Sequence, residues 1–356
     1  MLRKLLAGSI AGLGLLAAAC GGSAAPSQGN DVGRGNLTGA GATFPEPFYT
    51  KAFYAYNQKY SQVQVNYQAV GSGAGIQQFT NGTVDFGASD VPMTDAEVQA
   101  AGGADSLVQL PTTLGVVAIA YNLPAVPKLQ LDGNTLLAIY MGAIKKWDDP
   151  ALKALNPGVS LPSKDIGTVH RSDGSGTTYA FTDYLAKQPG DWKTKVGVAK
   201  SVSWPAGVGA KGNEGVANAI RQTEGSIGYV ELAYVIQTKM QSALVKNKSG
   251  KFVQPTVDGA TAAAAQARSV SPTNFSITDE PGDASYPITT FSWIILKKSQ
   301  SDAAKGKAVV NLFRWLVSDG QTYGRDLQYA PLPKDVQGLS TNALKSISSN
   351  GSPILA

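Results

Sequence analysis

The chain has 356 residues, 43% hydrophobic and 15% charged, with 40 glycines; this composition fits a turn-rich α/β protein of about two domains and excludes a coiled coil or a disordered chain. Net charge is +5, and loss of Arg3 and Lys4 with a leader would leave 5 − 2 = +3, too little to argue for nucleic acid. The single Cys excludes an internal disulfide, and the single His argues against a His-based triad or zinc site.

At the N-terminus, Arg3 and Lys4 precede the apolar run Leu5 to Ala19, which is too short to span a bilayer but suits the core of an export signal. Ala17, Ala18 and Ala19 lead into Cys20 and Gly21, a pattern that resembles a bacterial lipobox with Ala17 in place of the usual Leu. The expectation is a signal peptide over 1–19, lipidation of Cys20 and a flexible Gly/Ser/Ala/Asn-rich tether over 20–37. That places the protein outside the cell, on the outer face of the cytoplasmic membrane by its lipid anchor or in a periplasm.

Downstream, Phe48 to Tyr60 has helical period, Val63 to Val70 alternates as a strand, and Gly75 to Phe79 opens a helix. Val84 to Ala88 reads as a short strand and Asp95 to Ala101 as a helix, so the pattern implies βαβ units and a largely parallel sheet. Two long extended runs follow, Val108 to Leu123 and Tyr286 to Leu296. As strands crossing between two lobes, they would divide the chain into a discontinuous lobe one (38–110 and 287–356) and an inserted lobe two (111–286). Segment 255–275 reads as surface helix plus loop.

Three Gly/Ser/Thr stretches stand before helical patterns: Gly39 to Pro45, Gly71 to Gly75, and Arg171 to Thr178. A helix N-terminus offers unpaired N–H groups and partial positive charge, glycine lets backbone approach, and hydroxyls add donors. Arg171 can grip a tetrahedral anion with two N–H groups, and Asp173 can hold its fork in place. Asp90, just past a strand, is an acid among donors. It makes sense if the anion carries a proton, as monohydrogen phosphate does and sulfate does not. Sites that pair a substrate hydroxyl reject analogues lacking it by roughly 10⁴–10⁵. Phe44 breaks a dinucleotide fingerprint, and Gly174 to Thr177 lacks the Lys of a nucleotide P-loop. His170 and Trp147 read as structural.

These residues resemble a known family. Thr38-Gly-Ala-Gly-Ala-Thr-Phe-Pro45, Val84-Asp-Phe-Gly-Ala-Ser-Asp90, Ile144-Lys-Lys-Trp-Asp-Asp149, Arg171-Ser-Asp-Gly-Ser-Gly-Thr177 and Gly228-Tyr-Val-Glu231 are similar to motifs of the phosphate-binding protein of the ABC-type phosphate importer. The resemblance runs in order from about Leu37 to the C-terminal region. It implies a two-lobed, type 2 periplasmic-binding-protein fold, α/β, each lobe a mostly parallel sheet flanked by helices and joined to the other by two crossing strands. By position it implies phosphate contacts from Thr43, Phe44 (through its backbone N–H), Ser72, Asp90, Arg171, Ser175, Gly176 and Thr177, with Asp173 behind the arginine. The loop Gly209 to Gly215 is assigned to lobe packing or importer docking.

The implied partners are inorganic phosphate, the importer's membrane subunits with their cytoplasmic ATPase, and membrane lipid through Cys20; no cofactor, metal, nucleic acid or catalytic residue is expected, and the chain is expected to act as a monomer. The alternatives are another oxyanion, sulfate or molybdate, and a phosphate-ester hydrolase.

Overall fold

The computed structural model describes residues 31–355. The expected signal peptide, the expected lipidation site Cys20 and the tether up to residue 30 lie outside the described residues; the expected flexible tether does not extend to residue 37, because Val32 and Leu37 are buried and the first strand already begins at Gly35. Strand β1 (Gly35–Gly41) leads through a turn into helix α1 (Glu46–Lys59), and β2 (Val63–Ala69) leads into α2 (Ser72–Thr80). Then come β3 (Phe86–Ser89), the short α3 (Asp95–Ala100) and the long β4 (Leu107–Tyr121). The aromatic period of α1 has the expected consequence: Phe48, Phe53 and Tyr56 are buried, and Tyr60 falls just past the helix as its C-cap. α2 begins three residues earlier than its apolar pattern suggested. Gly71, at φ +96°, turns the chain so that Ser72 and Gly73 already belong to the helix.

After β5 (Gln130–Leu131) come α4 (Gly133–Tyr140) and α5 (Pro150–Leu155). Next are β6 (Gly167–Arg171), α6 (Gly176–Ala186), α7 (Trp192–Lys195), β7 (Val208–Ala210), α8 (Gly212–Gln222), β8 (Ser226–Glu231) and α9 (Leu232–Gln237). Short strands β9 (Gln241–Ser242), β10 (Leu244–Lys246) and β11 (Phe252–Val253) precede α10 (Val257–Ala264), β12 (Thr289–Lys297), α11 (Ala303–Leu316) and α12 (Lys334–Lys345).

The main sheet runs in the order β2-β1-β3-β12-β4-β8-β6-β7, with β9 alongside β4. Pairing is parallel on both flanks, β1 with β2 and β3, and β6 with β7 and β8. Through the middle it is antiparallel: β12 runs against both β3 and β4, and β4 against β8. The parallel reading therefore holds for the βαβ flanks and fails at the centre, where β12 arrives from far along the chain. β4 changes partner along its length, with Leu107 to Val116 on β12 and Val117 to Tyr121 on β8. Helices cover both faces here, and Leu110, Leu114 and Val116 to Tyr121 are all buried, hence the nearly unbroken apolar run.

Segment 255–275 differs from expectation. Its helix, α10, is not a surface element: Val257, Ala260, Ala263 and Ala264 are buried against β4 and β12. A face of alanines reads as weakly apolar, yet small side chains let the helix approach closely. Trp147 is buried and donates its indole N–H to Gly225 O at 2.9 Å. Among the described residues no helix is long and apolar enough to cross a membrane.

β1 must deliver its turn against β3 without a side chain at Gly41, which sits at φ +157° where a Cβ would overlap the carbonyl of Ala88. Gly41→Ala is expected to destabilise the protein by about 2–4 kcal/mol in urea unfolding; a change within about 0.5 kcal/mol would show that β1 and β3 can part at little cost.

Candidate functional site

Four strands of the flanks end at one place, the carboxyl edge where open α/β sheets hold ligands. β1 ends at Gly41 and delivers Thr43 and Phe44; β2 runs into Gly71 and Ser72; β3 ends beside Asp90; β6 ends at Arg171 and leads to Asp173, Ser175, Gly176 and Thr177. Thr43, Phe44, Ser72, Asp90, Arg171, Ser175, Gly176 and Thr177 are all buried.

Direct bonds connect them. Ser72 Oγ accepts from Gly176 N at 3.0 Å and from Asp90 N at 3.3 Å, so one hydroxyl ties the start of α2 to the start of α6 and to the end of β3. Gly73 N donates to Gly174 O at 2.9 Å. Gly176 has to be glycine, because a Cβ there would overlap the side chain of Asp90. Ser175 caps α6 by accepting from Thr178 N at 3.1 Å.

Arg171 is 3% exposed. Its Nε and Nη2 donate to the two oxygens of Asp173 at 2.7 and 2.5 Å, and Nη1 reaches Thr177 Oγ1 at 3.4 Å. Asp173 Oδ1 also accepts from Gly212 N at 3.1 Å. Burial pulls the Asp173 carboxyl upward, but the bonds from Arg171 and Gly212 outweigh it and hold the group below the usual range. Asp90 is the opposite case. Burial pushes its carboxyl from the usual 3.8 up to about 7, against the smaller pull of the Ser292 hydroxyl and the Arg171 charge.

Several residues here were not singled out in the sequence. Ser292 Oγ donates to Asp90 Oδ1, and Thr290 Oγ1 donates to Asp90 O at 3.1 Å, so β12 holds Asp90 from behind. Their signal was polar residues inside an otherwise apolar buried strand. Asn213, from the Gly209 to Gly215 loop, donates to Thr43 Oγ1 from its backbone N at 3.1 Å and from Nδ2 at 2.9 Å, and to Thr177 Oγ1 at 3.3 Å. That loop therefore reaches the site. Tyr234 donates its hydroxyl to Thr43 O at 2.7 Å, and Tyr329 donates to Phe44 O at 2.6 Å. His170 stands apart, stacked on Trp204 with ring centroids 4.8 Å apart.

Chemically, the arrangement is a ring of donors with one acid. Thr43, Ser72 and Thr177 each accept from two N–H groups, which fills both lone pairs and turns the hydroxyl proton outward. Such a set suits an oxyanion that keeps a proton for Asp90. Among the described residues no group of His, Cys, Asp and Glu could hold a metal.

A family described as PBP superfamily domain matches residues 26–319. The chain is 46% identical over 305 residues to the phosphate-binding protein PstS of Haemophilus influenzae, covering 85% of this chain and 90% of that one. It is 42% identical to the Xylella fastidiosa protein of the same name (89% and 86% covered) and 34% identical to that of Methanocaldococcus jannaschii (92% and 90%). Among solved structures, a high affinity periplasmic phosphate-binding protein, PfluDING, described as bound with phosphate, superposes with a TM-score of 0.71 at 22% identity, covering 88% of this chain and 99% of that one. A phosphate-binding protein from Stenotrophomonas maltophilia gives 0.67 at 21%, with 86% and 93% covered. At these identities the structures establish the shared fold.

Because the Asp90 carboxyl is raised on folding, the folded protein holds a proton that the unfolded chain has released above about pH 4. The stability from protonated Asp90 is full below about pH 4 and is lost as pH rises toward about 7. In anion-free buffer, Asp90→Asn should flatten the decline in unfolding free energy over this window by up to roughly 1.4 kcal/mol per pH unit. Equal slopes for parent and variant in urea titrations would show that Asp90 ionises in its ordinary range.

Proposed function

This chain belongs to the PstS phosphate-binding proteins of the PBP superfamily, and from that premise we propose that it captures inorganic phosphate between two lobes and delivers it to the membrane subunits of an ABC importer. The observation that carries the reading is the donor ring with Asp90 as its one acid. In this reading Thr43, Ser72 and Thr177 donate through hydroxyls whose lone pairs are already taken, and Phe44 donates through its backbone N–H, while Gly176, whose own N–H is bonded to Ser72 Oγ, lets the backbone of α6 come close to the anion. Ser175 adds a hydroxyl at the mouth of α6, whose N-terminal partial charge favours the anion. Arg171, oriented by Asp173, supplies the full positive charge. Asp90 accepts a hydrogen bond from the hydroxyl that phosphate carries.

The lobes are 38–110 with 287–356, and 111–286. What supports this division is the change of partner along β4 and the convergence of Gly73 with Gly174 and of Thr43 with Asn213, each from opposite sides of the boundary. Lys200 and Glu97, 2.7 Å apart, form a further pair across it. Opening would part these contacts and hydrate the anion; closing excludes water and strengthens each charge-assisted bond. We further propose that residues 1–19 direct export and that Cys20, lipidated, anchors the protein to the membrane by the short Gly/Ser/Ala-rich tether that precedes Val32, on the strength of the N-terminal sequence alone. The chain acts as a monomer in this scheme.

Calorimetric titration with phosphate, sulfate and molybdate tests the reading. Tight phosphate binding that Arg171→Met weakens by at least about 10²-fold is expected, since a buried charge-assisted partner is lost. Preference for sulfate or molybdate over phosphate would overturn it.

The acid also predicts a pH signature. Sulfate brings no proton, so it must bind with Asp90 protonated, and its affinity should fall about tenfold per pH unit above about 7. Phosphate should show a much smaller fall, and Asp90→Asn should erase the sulfate slope while weakening phosphate less than it weakens discrimination. Selectivity unchanged in the variant would remove Asp90 from the proton-sensing role.

A further inference from the structure

The donor ring needs something to set the direction of its hydroxyl protons, because a threonine hydroxyl can equally accept. Asn213 is fully buried, and its backbone N–H and both ends of its side-chain amide are bonded. Its Oδ1 accepts from Glu231 N at 3.0 Å, and an N–H can only donate, so that bond fixes which end of the amide is oxygen. Nδ2 is thereby directed at Thr43 Oγ1 (2.9 Å) and Thr177 Oγ1 (3.3 Å). With the Asn213 backbone N–H also on Thr43 and Arg171 Nη1 also on Thr177, neither hydroxyl has a lone pair left for the anion.

We infer that Asn213 is a positioning residue for the bound oxyanion, forcing the hydroxyls of Thr43 and Thr177 to donate and joining the two sides of the cleft as it does so. The inference rests on the proposed phosphate site and deepens it. Thr43 lies at the end of β1 and Thr177 in α6, so one amide enforces the same polarity on groups from both lobes. Its bonds to Thr43 require the closed arrangement, so they act after encounter, on the dissociation rate.

A mutant cycle tests this. Phosphate affinity is measured for the parent, Asn213→Ala, the double variant Thr43→Val with Thr177→Val, and the triple variant. If Asn213 works through those hydroxyls, Asn213→Ala weakens phosphate by about 10–10²-fold in the parent but by no more than about threefold in the double variant. Undiminished loss in the double variant would show a merely structural role and overturn the inference. Stopped-flow measurement should place the parent-background loss in dissociation, with association unchanged within about threefold; a loss confined to association would equally overturn it. Should Asn213→Ala not fold, Asn213→Ser removes the amide without adding charge, keeps a hydroxyl acceptor for Glu231 N and carries the same cycle. Absence of phosphate binding by the parent would count against the proposed function itself, a result separate from either outcome of the cycle.

Discussion

A guanidinium withdrawn from water needs close, directional partners, because the desolvation it suffers is offset in no other way. Arg171 finds its main partner two residues ahead in its own turn, and much of the site is arranged around that pair. Asp173 faces Nε and Nη2 with both oxygens and accepts in addition from Gly212 at the start of α8. On the other side, Gly71 must lack a side chain, since a Cβ would overlap Asp173 Oδ2. The ion pair therefore fixes how α2 and α8 both approach the end of β6. A lysine at 171 could neutralise Asp173 but could not present a planar fork to it while reaching Thr177.

Two further acids are buried nearby, and their difference explains why one is suited to sensing a proton. Burial raises both carboxyls. Glu231 is bonded by Ala233 N and the Tyr329 hydroxyl, and the nearby Asp90 charge adds to burial in holding its carboxyl well above the usual range. Asp90 has Arg171 and the Ser292 hydroxyl to moderate the effect, which leaves it near 7. One acid is tied into the framework by N–H and hydroxyl partners, and the other is left poised near 7.

The parts of this site that were legible in the sequence are those written contiguously. Glycine with a hydroxyl before a helical pattern is a local signature, and so are Arg171 with Asp173 and an acid just beyond a strand. Asn213 and Ser292 were not legible, because their meaning depends on partners 170 and 202 residues away. Asn213 sat in a loop read as packing or docking, and Ser292 was one polar residue in an apolar strand. The same divide applies to the fold. Alternating elements revealed the parallel flanks, whereas the antiparallel centre depends on where β12 returns, which periodicity does not encode. The alanine face of α10 looked like surface for a related reason: small residues pack by proximity, and hydropathy registers only their size.

β4 gives the proposed closure its mechanical form. One strand carries the hydrogen-bond ladder of β12 up to Val116 and that of β8 from Val117, so rotation between the lobes has to be absorbed near that switch and at the entry to β12. The cross-cleft bonds of Asn213, Tyr234, Tyr329 and Gly73 are mostly neutral, each worth about 1 kcal/mol net. Closure without an anion would gather three outward hydroxyl protons and the outer N–H groups of Arg171 around a single acceptor. Closure around an oxyanion gives each of those donors an oxygen. The free-energy difference between these two closures is the ligand's differential affinity for the closed form, and only that difference can shift the population toward it. Saturating the lone pairs behind each hydroxyl enlarges the difference, because donors that cannot turn round to accept have nothing to bind except the anion.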